Sequence, residues 1–289
     1  LDETQIGAMT TTQVAALTTA QIKGLTATAV GALADTQIAA LTANQVAALT
    51  ATSLAALDET QIGAMTTTQV AALVRTQIAA LAGTTLAALD ADQAAALTQT
   101  QLRALTNTQI AALAAEDLAE LSAAQLSSFT AAQIGALTST AMGNLADTQI
   151  AAFTATQVKA LSGTLIAALA DTQIAALTAT QLEAMSTSQI GALTETNATA
   201  LTTTQLGALS ATRVAALSTS ALSALDGAQF GTLNTTQIRA LTATQIAALD
   251  ATDMGDVTAT QIAALTTTQV SALNATSVEA LADTQIAAL

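Results

Sequence analysis

Large apolar residues return at every eighth position: Leu1, Met9, Leu17, Leu25, Leu33, Leu41 and so on to Leu289, with no slip of register. We letter this octad a to h, with the consensus L-T-x-T-Q-I-A-A. Position a is Leu in 30 of 36 octads, the others being Met9, Met65, Phe129, Phe153, Met185 and Val257. Position f is nearly always Ile, Val or Leu. Position h is nearly always Ala, and position g accepts Ala, Gly, Lys23, Arg103, Glu183 or Ser271. This pattern predicts that a and f are buried, that h is buried and cramped, and that g faces water.

The polar positions predict the local conformation. Position b is Thr, Ser, Asp or Asn in 29 of 36 octads and position e is Gln in 25 of 36. Thr followed three residues later by Gln is a capping box, in which the hydroxyl accepts from the later backbone N–H and the Gln side chain reaches back. Ile at f and Leu at the next a are three apart, hence on one helical face. Each octad therefore reads as a helix of about one and a half turns, stopped where the next cap begins. Where b is Ala and Asp follows at c, as at Ala34, Ala146, Ala170 and Ala282, the cap is expected to shift by one residue.

Two rival periodicities fit less well. In one continuous helix a period of eight would drift by about 80° per repeat, leaving no apolar stripe. A β-solenoid is the alternative, because Thr, Ile and Val favour strands. Against it, a, f and h do not alternate with period two, and Ala and Gln are poor strand formers. The longest uninterrupted apolar run is six residues, as at 110–115, too short to span a membrane.

The exceptions to Gln at position e carry a second period. They are Ala29, Ser53, Thr85, Asp117, Ala141, Leu165, Asn197, Arg213, Ala221, Asp253 and Ser277. Setting Arg213 aside, they are spaced three or four octads apart. The segment LDETQIGAMTTTQV at Leu1 returns at Leu57, seven octads on. Both observations give a superperiod near 3.5 octads, or about 28 residues. The predicted fold is all-α: an α-solenoid of 36 short capped helices, one per octad, with about 3.5 octads per superhelical turn. Residues 1–289 read as a single uninterrupted solenoid. With helix layers about 8–10 Å apart, some ten turns would make a rod on the order of 100 Å long.

Charge adds a stripe to this picture. The net charge is −14, with 20 acidic and 6 basic residues. The acids concentrate at or just after the non-Gln octads, among them Asp35, Asp58, Asp90, Asp147, Asp171, Asp226 and Asp283, and Glu120, Asn144 and Asp256 break the Ala rule at h. Lys23, Arg75, Arg103, Lys159, Arg213 and Arg239 form a sparse basic line. One flank is thus acidic, which serves solubility and could also dock another rod or a cation.

Chemistry is scarce. The chain has no His, Cys, Trp, Tyr or Pro, so it lacks thiol and imidazole catalysis, disulfides and Cys/His metal sites. Lys23 and Lys159 stand alone at exposed g positions. Carboxylates cluster at Asp90 with Asp92, at Glu116, Asp117 and Glu120, and at Asp250, Asp253 and Asp256. The last three could share a helix face and attract Ca²⁺ weakly, but fall short of the six or more oxygens of a built site. No catalytic, cofactor-binding or metal-ligating residue is assigned, and no cofactor. Sequons occur at Asn197, Asn234 and Asn274, the last two at the cap position, and Thr at d could carry O-linked sugar; glycan identity is open. The Thr-x-Thr pairs are similar to the threonine ladders of ice-binding solenoids, but Thr at b is committed to capping here.

The run LTATQIAALTTTQV resembles the Leu-Thr-x-x-Gln-Ile/Val octapeptide arrays of very large, secreted, adhesin-like repetitive bacterial proteins. The likeness covers the whole chain and implies an extracellular or cell-surface structural role. The segment LTxTQVxAL also looks like the opening of TAL-effector repeats, but the longer repeat and its base-reading pair are absent, and the negative charge opposes nucleic acid. The chain begins and stops mid-pattern, without the polar caps solenoids use. A segment of a longer array, or head-to-tail stacking of copies into a fibre, is therefore expected. The functional expectation is a non-enzymatic structural protein forming a filament or adhesin stalk. The alternative is an acidic solenoid module that binds a partner or Ca²⁺ along its stripe.

Overall fold

The computed structural model describes residues 2–289. Among them every regular element is a helix and there is no strand. Thirty-six helices of four to six residues run one per octad, from α1 (Glu3–Gly7) to α36 (Asp283–Ile286), so that helix and octad share a number. The α-solenoid reading holds and the β-solenoid alternative does not. The chain divides into two units, Leu1–Leu145 and Ala146–Leu289.

The turn between helices needs no special residue. In the junction between α5 (Asp35–Ala40) and α6 (Ala43–Ala48), Leu41 has φ −63°, ψ 141° and Thr42 has φ −74°, ψ 157°. Two consecutive extended residues redirect the chain, and both values lie where any L-residue is comfortable. No residue among those described has positive φ. Leu at a can therefore sit in the corner itself and still bury its side chain, which a Gly-based helix stop would forgo. The Leu41 N–H closes the helix on the Ile38 carbonyl at 3.1 Å, and the same a-to-f bond recurs along the chain.

Where b is Ala, the expected one-residue shift of the cap does not occur. Ala34 remains the N-cap, with φ −70° and ψ 155° and no side-chain cap bond, and its N–H still donates to Gln37 Oε1 at 2.7 Å. Burial of the flanking a and f residues fixes the corner, so losing one hydroxyl does not move it. Asp35 becomes the first helical residue, where its charge meets the positive end of the helix.

Helices this short are unstable alone, so tertiary contact must hold them. Within each unit a helix packs on the one three octads along: α6 on α9 (Thr67–Ala72), α7 (Ala51–Leu54) on α10 (Arg75–Ala80), α27 (Ala211–Val214) on α30 (Thr235–Ala240). The core consists of the a and f side chains, such as Ile38, Leu41, Val46 and Leu49 in the first unit and Ile174, Leu177, Leu182 and Met185 in the second. Each such side chain contributes about 1.5–3 kcal/mol by leaving water.

Position h departs from expectation. Ala8, Ala16 and Ala32 are exposed and Ala40 and Ala48 are half-buried. The position is cramped, as expected, but at the outer rim, where it meets position c of the coil three octads back. A Cβ added to Gly83 would lie 2.6 Å from the Ala112 Cβ, and one added to Gly163 would lie 3.2 Å from the Ala192 Cβ. The small residue at h lets adjacent coils approach. The third buried position of the octad is e.

The intercoil glutamine ladder as candidate functional site

The Gln at e has two tasks, of which the capping box is the first. In α10, Gln77 Oε1 accepts from the Val74 N–H at 2.8 Å. Its Nε2 then donates to two carbonyls of the preceding coil, Val46 at 2.8 Å and Leu49 at 2.8 Å. Those two carbonyls belong to the last turn and corner of α6, groups that a helix C-terminus leaves without partners. One amide thus satisfies an orphan donor of its own helix and two orphan acceptors of the coil beneath, and Gln77 is 1% exposed.

This arrangement repeats with a step of 28 residues. Gln37 reaches Met9, Gln69 reaches Leu41, Gln101 reaches Leu73 and Gln133 reaches Leu105 in the first unit. Gln189 reaches Leu161, Gln205 reaches Leu177, Gln237 reaches Leu209 and Gln269 reaches Leu241 in the second. A second bond, 31 residues back, usually accompanies it, as from Gln109 to Ile78 at 2.8 Å. Twenty-eight residues are three and a half octads, so the superperiod visible in the sequence is the turn of the coil. No buried side-chain N or O among the described residues lacks a partner.

Sequence reasoning assigned Gln only to the capping box and missed that it is buried. A signal was available. A capping box tolerates Glu as well as Gln, yet Glu never occupies e in a chain with 20 acids. A carboxylate can accept from the cap but cannot donate to the carbonyls below.

Apart from Thr85, which is buried, and Arg213, the non-Gln octads fall into three chemical groups. Ala29, Ala141, Leu165 and Ala221 are buried and apolar. Ser53, Ser277 and Asn197 keep the donor: to Leu25 at 3.1 Å, Leu249 at 3.2 Å and Leu169 at 2.9 Å, each 28 residues back. Asn197 also accepts from the Thr194 N–H at 3.1 Å, and so reproduces the Gln pattern with a shorter arm. Asp117 and Asp253 keep only the acceptor, from the Ala114 N–H at 3.3 Å and the Asp250 N–H at 3.0 Å.

Arg213 is a fourth solution. Its Nε donates to the Met185 carbonyl, 28 residues back, at 2.8 Å. Glu183 Oε2 accepts from the Ser210 N–H at 3.0 Å, and Arg213 Nη1 meets Glu183 Oε1 at 2.6 Å. Arginine supplies the donor half of the missing amide and glutamate the acceptor half, and the ion pair joins them. The odd exception to the superperiod is therefore a functional substitute for Gln.

Two segments, residues 6–43 and 110–147, match the family model described as ALTTAQ repeat. The chain is thus a repeat array by comparison as well as by pattern. The string ALTTAQ occurs literally at 16–21, and there it spans the C-cap of α2 (Thr11–Ala15), the extended corner and the capping-box Gln of α3 (Thr19–Lys23). No curated protein matches the chain.

The acids serve mostly locally. Asp58, Asp90 and Asp226 are N-caps, each accepting from the N–H three residues on, and Asp35, Asp147 and Asp171 open their helices. The Gln61 N–H and then the Thr60 hydroxyl hold the Asp58 carboxyl below its ordinary pKa. Asp250, Asp253 and Asp256 do not converge: Asp250 caps α32 (Ala251–Asp256), Asp253 points inward, and Asp256 lies against Gly227. Among the described residues no group of three or more His, Cys, Asp or Glu could hold a metal ion, and no helix is long and apolar enough to cross a membrane. Of the sequon residues, Asn234 and Asn274 are exposed caps, whereas Asn197 is 2% exposed and its Nδ2 is bonded to Leu169. That nitrogen is unavailable to a glycan in the folded coil.

Proposed function

We propose that the chain is a structural protein, a stacking coil that forms an extracellular filament or adhesin-type stalk. The glutamine ladder supports this reading. Each coil donates amides to the coil before it and offers carbonyls to the coil after it, so the interface has one direction and repeats without limit. The same geometry serves successive coils of one chain or two chains meeting head to tail in a heterologous contact. Extracellular placement rests on the resemblance to secreted octapeptide arrays.

Negative-stain microscopy over a range of protein concentrations tests the proposal. Fibres of constant width that lengthen with concentration are expected. Short monodisperse particles whose stability follows added Ca²⁺ would instead favour an acidic module that docks its partner along the charged flank.

A further inference from the structure

We propose that Asp253 is an acid-closed latch between two coils of the second unit: protonated, it donates to the Leu225 carbonyl and completes a ladder rung that its carboxylate leaves open. At e, Asn197, Ser53 and Ser277 all donate to the carbonyl 28 residues back, and for Asp253 that residue is Leu225. Asn197 shows what a protonated Asp of the same length would do. It accepts from its own cap N–H through one atom and donates to the coil below through the other. Asp253 already has the first half, at 3.0 Å from the Asp250 N–H, and is 8% exposed. Ionised, both of its oxygens can only accept.

The surroundings favour the neutral form. Asp250 and Asp256 share its helix. Of the two helices packed on α32, α29 (Gly227–Gly231) is capped by Asp226, and α35 (Ala275–Glu279) ends in Glu279. None of the three carries Lys or Arg. Burial raises the Asp253 pKa, and the charges of Asp250 and Asp256 raise it further against hydrogen bonds from Asp250 and Ser223. The coil is also slack here. Among the described residues, α32 alone lacks the bond from the a-position N–H that closes the other helices, and a void of about 10 Å³ lies beside Met254, Val257 and Phe230.

A folded pKa above the unfolded value near 4 gives stability that is fully present below that unfolded value and lost as pH rises through the folded one. Amide exchange of residues 222–257 in the full chain, corrected for intrinsic rates and compared at pH 7 and pH 3.5, reads this directly. In the wild type, exchange is expected to slow in acid by about tenfold for each unit by which the pKa is raised. Asp253→Asn is expected to be as protected at pH 7 as the wild type is in acid, and to lose the pH response. Asp253→Ser, carrying the hydroxyl of Ser53 and Ser277, is expected to be protected likewise. Asp253→Ala removes the charge without supplying a donor and is expected to stay fast at pH 7. If Ala protects as well as Asn, or if Asn leaves the acid response in place, the latch is refuted.

Discussion

Residues 10–17 and 66–73 have the same sequence, TTTQVAAL, and differ only in what lies beneath them. Both fold into the same capped turn: Gln13 Oε1 accepts from the Thr10 N–H at 2.8 Å and Gln69 Oε1 from the Thr66 N–H at 2.6 Å. Gln69 lies on an earlier coil, donates to Ile38 at 2.8 Å and Leu41 at 2.7 Å, and is buried. Gln13 belongs to the first coil and is exposed. The helix is therefore a local property of the octad, whereas the burial of its amide comes from the turn below.

The strongest way to break this equivalence is to remove the amide in both places. Gln69→Leu is expected to destabilise by about 3 kcal/mol, because buried carbonyls and a cap N–H lose partners together. Gln13→Leu should cost under about 1 kcal/mol, the worth of a cap alone. Urea denaturation of the two variants checks the difference, and equal costs would mean the ladder adds nothing to the box.

Close approach of the coils is probed next. Gly83→Ala gains about 1 kcal/mol of helix propensity, but its Cβ would lie 2.6 Å from that of Ala112. Overpacking of this kind costs about 1–3 kcal/mol, so a net loss of about 1 kcal/mol is expected in the same assay. The Arg213–Glu183 joint sharpens the chemical side. Arg213→Met should cost about 1–2 kcal/mol, and Arg213→Gln should restore the wild-type midpoint. Salt at 1 M should weaken the wild-type joint more than the Gln variant, since the pair is partly exposed and screened.

Smaller effects are expected where the octad itself is weak. Near residues 86–121 Ala94 replaces the usual large residue at f, and a void of about 30 Å³ is lined by Leu86, Leu97, Leu102 and Leu121 among others. Ala94→Val should fill it and raise stability by about 1 kcal/mol. The least effect is expected at Asp58. Its lowered pKa means that its cap contributes above the ordinary carboxylate value near 4 and is lost as pH falls through the folded value. Carboxyl NMR titration should find Asp58 below the ordinary Asp value near 4, and Asp58→Asn should remove the local acid response of α8 (Glu59–Gly63).

The octad by itself determined the helices, their caps, their corners and the apolar pair at a and f. These follow from contacts within eight residues, and every repeat restates them. Even the 28-residue turn was legible, because the positions that abandon Gln, Ala29 to Ser277, recur with it. The partners were not legible. That Gln is a core residue, that h lies on the rim, that Ala34 caps without a side chain, and that Arg213 and Glu183 together replace one amide depend on groups some 25 to 31 residues apart. Local sequence names the hydrogen-bonding groups a side chain carries; only the superposition of coils decides which carbonyl stands in reach.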